Sequence, residues 1–425
     1  MDTLTIQSKI KKRTIDNFPQ MLKTLSELIQ IPSVTGNEGD AQKYIQELYD
    51  RLGLKVVTFE PDVKELAHHS YYSRILETDF KGRPNVLGIL EGNKTSLSIK
   101  LNAHVDTVPP DPVDQWKDSP FSGKVDRNRV YGRGALDDKS GLVTNYYALK
   151  AILDVGYKPA GMAMLESAVE EEGGGAGSLT TLLRGYITDG MVVNDGPPGV
   201  LIANTGSIGR LNVRVIGRTM HAGWADYGVN AILKMNTICA ALDELGRKRT
   251  QEKHLAVLET PTRPVSCTHN ISMYRAGDNP SSVPGWAEIT AGFLIIPGES
   301  IPEVRKQVED VINAVADSDE WLKVNRPQIT WVGKGYHGWL QDEKHPFVQT
   351  ALQSTEKVIG HKIAVSGMTA GSDASLSQYF NAPAILTGPV GISHAIDEYV
   401  ETDSLIVNAQ ILAMLIIDWC GVEKV

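Results

Sequence analysis

Five short segments carry side chains of metal-binding type, and their order along the chain constrains the fold more than any other feature. Four precede residue 200: Asn102-Ala-His-Val-Asp-Thr107, Tyr131-Gly-Arg-Gly-Ala-Leu-Asp-Asp-Lys139, Glu170-Glu-Glu-Gly-Gly-Gly175 and Val193-Asn-Asp-Gly196. The fifth, Gly391-Ile-Ser-His-Ala395, comes near the far end. If His394 joins the earlier ligands, the C-terminal part must return to a domain built before residue 200, and whatever lies between is an insertion.

The coarse pattern along the chain agrees. Residues 15–30 and Gln42 to Leu52 read as amphipathic helices, and Lys55 to Phe59 as a strand. Asn85 to Gly92 and Leu97 to Asn102 are short apolar runs bounded by turn residues. A long helix from Lys139 to Leu153, then strands at Met162 to Glu166 and Met191 to Asn194, complete an alternation of strand and helix. That alternation predicts an α/β layer with a mixed, largely parallel sheet flanked by helices. The candidate ligands fall where the strands run out, which is where open α/β sheets bind.

After Gly206 the pattern changes. Arg210 to Ile216 alternates polar and apolar, a helix spans Ala231 to Leu245, strands fall at Thr268 to Tyr274 and Ala287 to Ile295, and a second helix runs from Pro302 to Ala316. This reads as an inserted α+β unit over residues 207–322, with residues 1–206 and 323–425 forming one discontinuous catalytic domain. A length of 425 residues suits two domains.

Imidazole plus carboxylate is the donor set of zinc, cobalt or manganese, not of a thiolate structural site. His104, Asp137, Glu172, Asp195 and His394 exceed what one tetrahedral ion needs, so a pair of ions sharing one carboxylate is the economical reading. That chemistry activates water and implies a hydrolase. Gly173-Gly-Gly-Ala-Gly177 lacks the Gly-Lys-Ser/Thr ending of a phosphate loop, so nucleotide binding is not implied.

Composition narrows the rest. With 42% apolar and 22% charged residues and a formal charge of −9, the chain is globular and offers no nucleic-acid surface. The apolar run Ile411 to Ile417 is too short to span a bilayer and fits a buried C-terminal helix, so no membrane partner is expected. Three scattered cysteines, Cys239, Cys267 and Cys420, fit a reduced, cytoplasmic setting.

On these motifs, in this order and with this insertion, the chain resembles, over nearly its whole length, the co-catalytic metallohydrolases that include acetylornithine deacetylase, succinyl-diaminopimelate desuccinylase and glutamate carboxypeptidases. The resemblance implies that Asp137 bridges two ions, that Asp195 completes one shell with His104, and that Glu172 and His394 complete the other. Asp138 is the alternative bridge, but the Gly-Arg-Gly-x-x-Asp spacing favours Asp137. Asp106 would orient the His104 ring, and Glu171 would be the general base. An acidic, solvated turn is the plainer account of Glu170 to Glu172.

In the same resemblance, His221 of the insert would reach the partner subunit's site and stabilise an oxyanion, which implies a homodimer or larger homo-oligomer. Asn270, also in the insert, and Gly371 would contact a small-molecule substrate, with Asp373 structural. Many relatives carry an Asp-x-Arg triplet that grips a substrate carboxylate; here Gly292 and Leu294 occupy those places, so that grip is absent. His68-His69 and Tyr71-Tyr72 read as a surface loop that could line a pocket.

The implied activity is hydrolysis of a C–N bond in a small molecule, first of an N-acyl amide. A dipeptidase or carboxypeptidase, hydrolytic deamination of an activated arylamine in the manner of nitroanthranilate aminohydrolase, and a metal-binding scaffold without catalysis are the alternatives.

Overall fold

The computed structural model describes residues 3–72, 79–260 and 263–425. Among these the chain divides into two compact units, one of residues 1–202, 341–366 and 372–425, the other of residues 203–340 and 367–371.

The first unit is built on a mixed sheet. Its strands run in the order Lys55–Phe59, Asn85–Leu90, Ala163–Ala168, Ile99–His104, Met191–Val193 and Ala384–Leu386. The last four are mutually parallel; the first two join antiparallel at one side. Ile99–His104 and Ala163–Ala168 are buried at every position, as central strands covered on both faces must be. Helices Lys139–Asp154 and Thr402–Cys420 pack against each other in the core. Leu201–Asn204 continues the sheet antiparallel beyond Ala384–Leu386, so four parallel strands lie between antiparallel ones: the expected mixed α/β class flanked by helices holds, with a smaller parallel share than expected.

Thr402–Cys420 extends well beyond the apolar run read from the sequence. By length and composition it could cross a bilayer, but 72% of its apolar window is buried inside the fold, the signature of a core helix.

The second unit is a four-stranded antiparallel sheet in the order His269–Ala276, Trp286–Ile295, Gly206–Ile216, Gln328–Val332. Helices Ala231–Glu252 and Ile301–Ser318 close its core. Trp286–Ile295 alternates without exception, burying Ala287, Ile289, Ala291, Phe293 and Ile295. Asn230 caps the first helix by accepting the N–H groups of Ile232 and Leu233. The unit runs past the expected boundary at residue 322, because Gln328–Val332 pairs in register with Arg210–Arg214 and so belongs to this sheet.

Candidate metal centre

The parallel strands end together, and the candidate ligands lie at or just beyond those ends. His104 closes its strand opposite Ala168, so the segment leading to Glu171 and Glu172 starts beside it. Asp195 follows Met191–Val193, which pairs with the His104 strand at Lys100, Leu101 and Asn102. Asp137 sits in the turn before helix Lys139–Asp154. Gly134 has φ +82° there, and a Cβ on it would come 2.7 Å from the Thr107 side chain, so the turn needs glycine.

Two donor groups result. His104, Asp137 and Asp195 form one, and Asp137, Glu172 and His394 the other, each with its ligand atoms within 4.8 Å of one another. Asp137 is common to both. Its Oδ1 lies 2.9 Å from His104 Nε2, and its Oδ2 lies 3.2 Å from His394 Nε2. Glu172 Oε1 is 2.8 Å from the same His394 nitrogen, and Asp195 Oδ1 is 3.7 Å from His104 Nε2. Asp138, the alternative bridge, is committed elsewhere: one carboxylate oxygen accepts His104 N–H and the other accepts Gly141 N–H, capping the helix.

The His104 ring is oriented differently from expectation. Nδ1 sits 2.9 Å from the backbone carbonyl of Asp106, and the Asp106 carboxylate is farther, at 3.5 Å. That carboxylate instead accepts the N–H groups of Glu171 and Glu172 and the Thr35 hydroxyl. Asp106 therefore joins the His104 strand to the glutamate turn, and its carbonyl places the ring proton on Nδ1. Nε2 then faces the Asp137 carboxylate at 2.9 Å, where either its own proton or a bound cation must stand between the two.

The acid–base balance shows the same demand. Burial raises Asp195 to about 6, with Asp137 adding to it. Glu171 is raised well above the usual range by burial and then by Asp373. Burial also dominates the rise at Glu172. Burial opposes charge on His104, yet Asp195, Asp106 and Asp137 together hold it well above its ordinary value. Hydrogen bonds to Asp137 and Glu172 lift His394 to about 10. Burial works to raise Asp137, but its two histidine partners pull it below the usual range. So many carboxylates crowded into a shielded site call for divalent positive charge, and the imidazole–carboxylate donor set suits it.

Asp373 is structural as expected, Glu398 escaped sequence reading, and Tyr71-Tyr72 differ from expectation. Asp373 is buried and accepts a hydrogen bond from Ser178, which in turn accepts from Asn102; burial raises Asp373 to about 7. Glu398 is buried beneath the Asp137 turn, paired with Arg133 and raised by burial to about 7. Tyr71 and Tyr72 are buried instead of lying on a surface loop, and Tyr71 packs edge-on against Tyr379. The rest of that loop, residues 73–78, lies outside the described residues.

His221, Asn270 and Gly371 belong to the second unit. His221 is exposed and caps a short 3-10 turn, with Nδ1 accepting Gly223 N–H. Asn270 lies on the end strand of the sheet, opposite Gly292. Gly371 approaches the Tyr336 ring so closely that a Cβ would clash with it.

A family model described as Peptidase family M20/M25/M40 matches residues 101–418. The chain belongs to this family. The M20 match takes in all five ligand segments, and it makes the chain a metal-dependent hydrolase of amide or peptide C–N bonds. Two relatives span essentially the whole protein, both named N-formyl-4-amino-5-aminomethyl-2-methylpyrimidine deformylase. That of Bacillus subtilis is 28% identical over 447 residues, covering 99% of this chain and 98% of its own. That of Halalkalibacterium halodurans is 25% identical over 450 residues, covering 100% of both. Among solved structures, human carnosine dipeptidase 1 has the same fold at TM-score 0.77 and 15% identity, covering 98% of this chain and 99% of its own.

Proposed function

We propose that this M20 enzyme removes a small N-acyl group, of formyl size, from an amine that carries no α-carboxylate. The observation that carries the reading is the shared Asp137 between two donor groups, with Glu171 beside the ligand Glu172. Zinc, cobalt and manganese all suit these donors, one or two ions per subunit. Bound at these positions, a divalent ion supplies Lewis acidity and lowers the pKa of water from ~15.7 towards ~7.

The protein's part is proton handling and placement. Glu171, whose carboxyl is raised well above the usual range by burial and is so a better proton acceptor, takes a proton from the attacking water. The water oxygen bonds to the acyl carbon, the C–N bond breaks, and Glu171 returns the proton to the departing nitrogen. The products are a carboxylate and a free amine. His221, from a second copy of the chain, donates to the oxygen that gains negative charge.

Two features support the substrate and assembly. Leu294 and Gly292 leave the strand without the arginine fork that would grip a carboxylate, and an aminomethylpyrimidine formamide, the substrate class in the deformylases' name, has no carboxylate to grip. His269–Ala276 is an end strand with Met273 and Tyr274 exposed, a surface suited to pairing with a second copy. Asn270 on that strand and Gly371 are assigned to substrate contact.

The test is a substrate panel with zinc, cobalt and manganese: the pyrimidine formamide, N-succinyl and N-acetyl amino acids, dipeptides and nitroanthranilate. Release of formate with free amine supports the reading. Preference for amino-acid or peptide substrates would contradict the carboxylate argument, and release of ammonia from the arylamine would place the reaction on a ring carbon.

A further inference from the structure

We propose that the buried Arg133–Glu398 pair is a positioning device for the metal position made by Asp137, Glu172 and His394. The inference rests on the metal reading above. His394 and Glu398 stand in the turn joining the short strands Gly391–Ile392 and Tyr399–Glu401. His394 and Asp397 both have φ +55°, a left-handed conformation uncommon outside glycine, although His and Asp enter it more readily than most.

Asp397 is held by Lys117, whose N–H and ammonium donate to its carboxylate. Glu398 ties the same turn to the Asp137 turn. Its side chain has 0% exposure and every contact points to the Asp137 turn. Oε1 accepts the N–H groups of Leu136 at 3.1 Å and Asp137 at 3.3 Å, and Oε2 takes the Arg133 guanidinium. Its own carbonyl accepts Gly132 N–H at 2.9 Å, continuing the pairing of Tyr399–Glu401 with Arg129–Tyr131. Arg133 is anchored in turn: its N–H donates to Pro120, and its guanidinium lies 5.2 Å from the centre of the Trp116 ring. One residue thus joins the turn that carries His394 to the turn that carries Asp137. Arg133 is also the cation that compensates the buried carboxylate, so losing it would leave a charge stranded behind the Asp137 turn.

The other position is held by different means. His104 sits on a central strand with its ring set by the Asp106 carbonyl. Asp137 is shared, so weakening the Arg133–Glu398 pair touches both positions, but only the position with His394 has two ligands on the turns Glu398 joins, and that position should weaken more.

The experiment titrates Co2+ into metal-stripped, full-length protein, followed by calorimetry and visible absorption. The variants are Glu398→Gln, Arg133→Lys and, to mark the second step, His394→Ala. The expected result is two binding steps in the wild type. Glu398→Gln weakens the step lost in His394→Ala by about tenfold or more, as removal of outer partners of a metal ligand does. The other step, which shares Asp137, weakens several-fold less, and Arg133→Lys, which keeps the charge but not the fork, falls between wild type and Glu398→Gln. Unchanged steps in both variants, or an equal weakening of the two steps, would overturn the proposal. If circular dichroism shows Glu398→Gln unfolded, Arg133→Lys decides alone by the same criteria. A wild type that takes up no Co2+ would fail the metal reading itself, a result distinct from these.

Discussion

Asp106 accepts the backbone N–H of Glu171 at 3.0 Å, and this one bond ties the segment after the His104 strand to the turn that carries the proposed base. The same carboxylate holds Glu172 N–H at 3.2 Å. A single side chain therefore sets the base and one ligand, while its carbonyl sets His104. Asp106→Ala should lower kcat by about 10- to 100-fold and weaken metal binding by a similar factor. Steady-state kinetics with metal analysis of the dialysed variant checks this; full occupancy with normal kcat would show that the turn holds without Asp106.

Glu171 contributes no ligand atom to either donor group. Glu171→Gln should cost about 10²- to 10⁴-fold in kcat while metal content stays at the wild-type level. Near-normal turnover would remove Glu171 as the base, and loss of metal would reassign it as a ligand.

The pH dependence has a definite sign. In the metal-free protein the folded pKa of His394 is raised to about 10, so the stability it contributes is full below its unfolded value and is lost as pH rises through about 10. Asp195, raised to about 6, likewise loses its favourable protonated state as pH rises through about 6. Both make the metal-free site less stable at high pH, and bound cation offsets the exposed charge. The Tm gap between Co2+-loaded and chelator-treated protein should be wider at pH 8.5 than at pH 5.5. A gap that narrowed with rising pH would contradict these assignments.

The role given to His221 requires a second subunit. Glu171→Gln and His221→Ala should each be inactive alone, the latter by about 10²- to 10³-fold. Mixing and reassembling them should restore activity at roughly a quarter of sites, because a hybrid dimer holds one intact site. No recovery from a mixture proven to contain hybrids would place His221 in its own subunit's site or outside catalysis.

The ligand segments were readable because each donor follows a strand end or occupies a glycine-bounded turn, as at Gly132 and Gly134 before Asp137. The mixed sheet was readable for the same reason: alternating strands and helices leave few other architectures. Other features depended on distance in sequence. Arg133 and Glu398 are 265 positions apart, and nothing local to either announces the other. The resemblance places the carboxylate of Asp106 on His104, yet the glutamate turn offers it better-placed N–H groups. Tyr71 and Tyr72 follow two histidines and read as surface, but packing against Tyr379 overrides that polarity for Tyr71. The end of the second unit was misplaced because Gln328–Val332 is too short to declare its partner from pattern alone.

Asp137, common to both donor groups, is assigned as the ligand that two divalent ions share. Metal counting on dialysed protein after Co2+ or Zn2+ loading tests it most directly. The expected count is about two ions per wild-type chain, about one in His394→Ala, about one in His104→Ala, and a collapse of both in Asp137→Ala. Two ions retained in His394→Ala, or none held by the wild type, would contradict it.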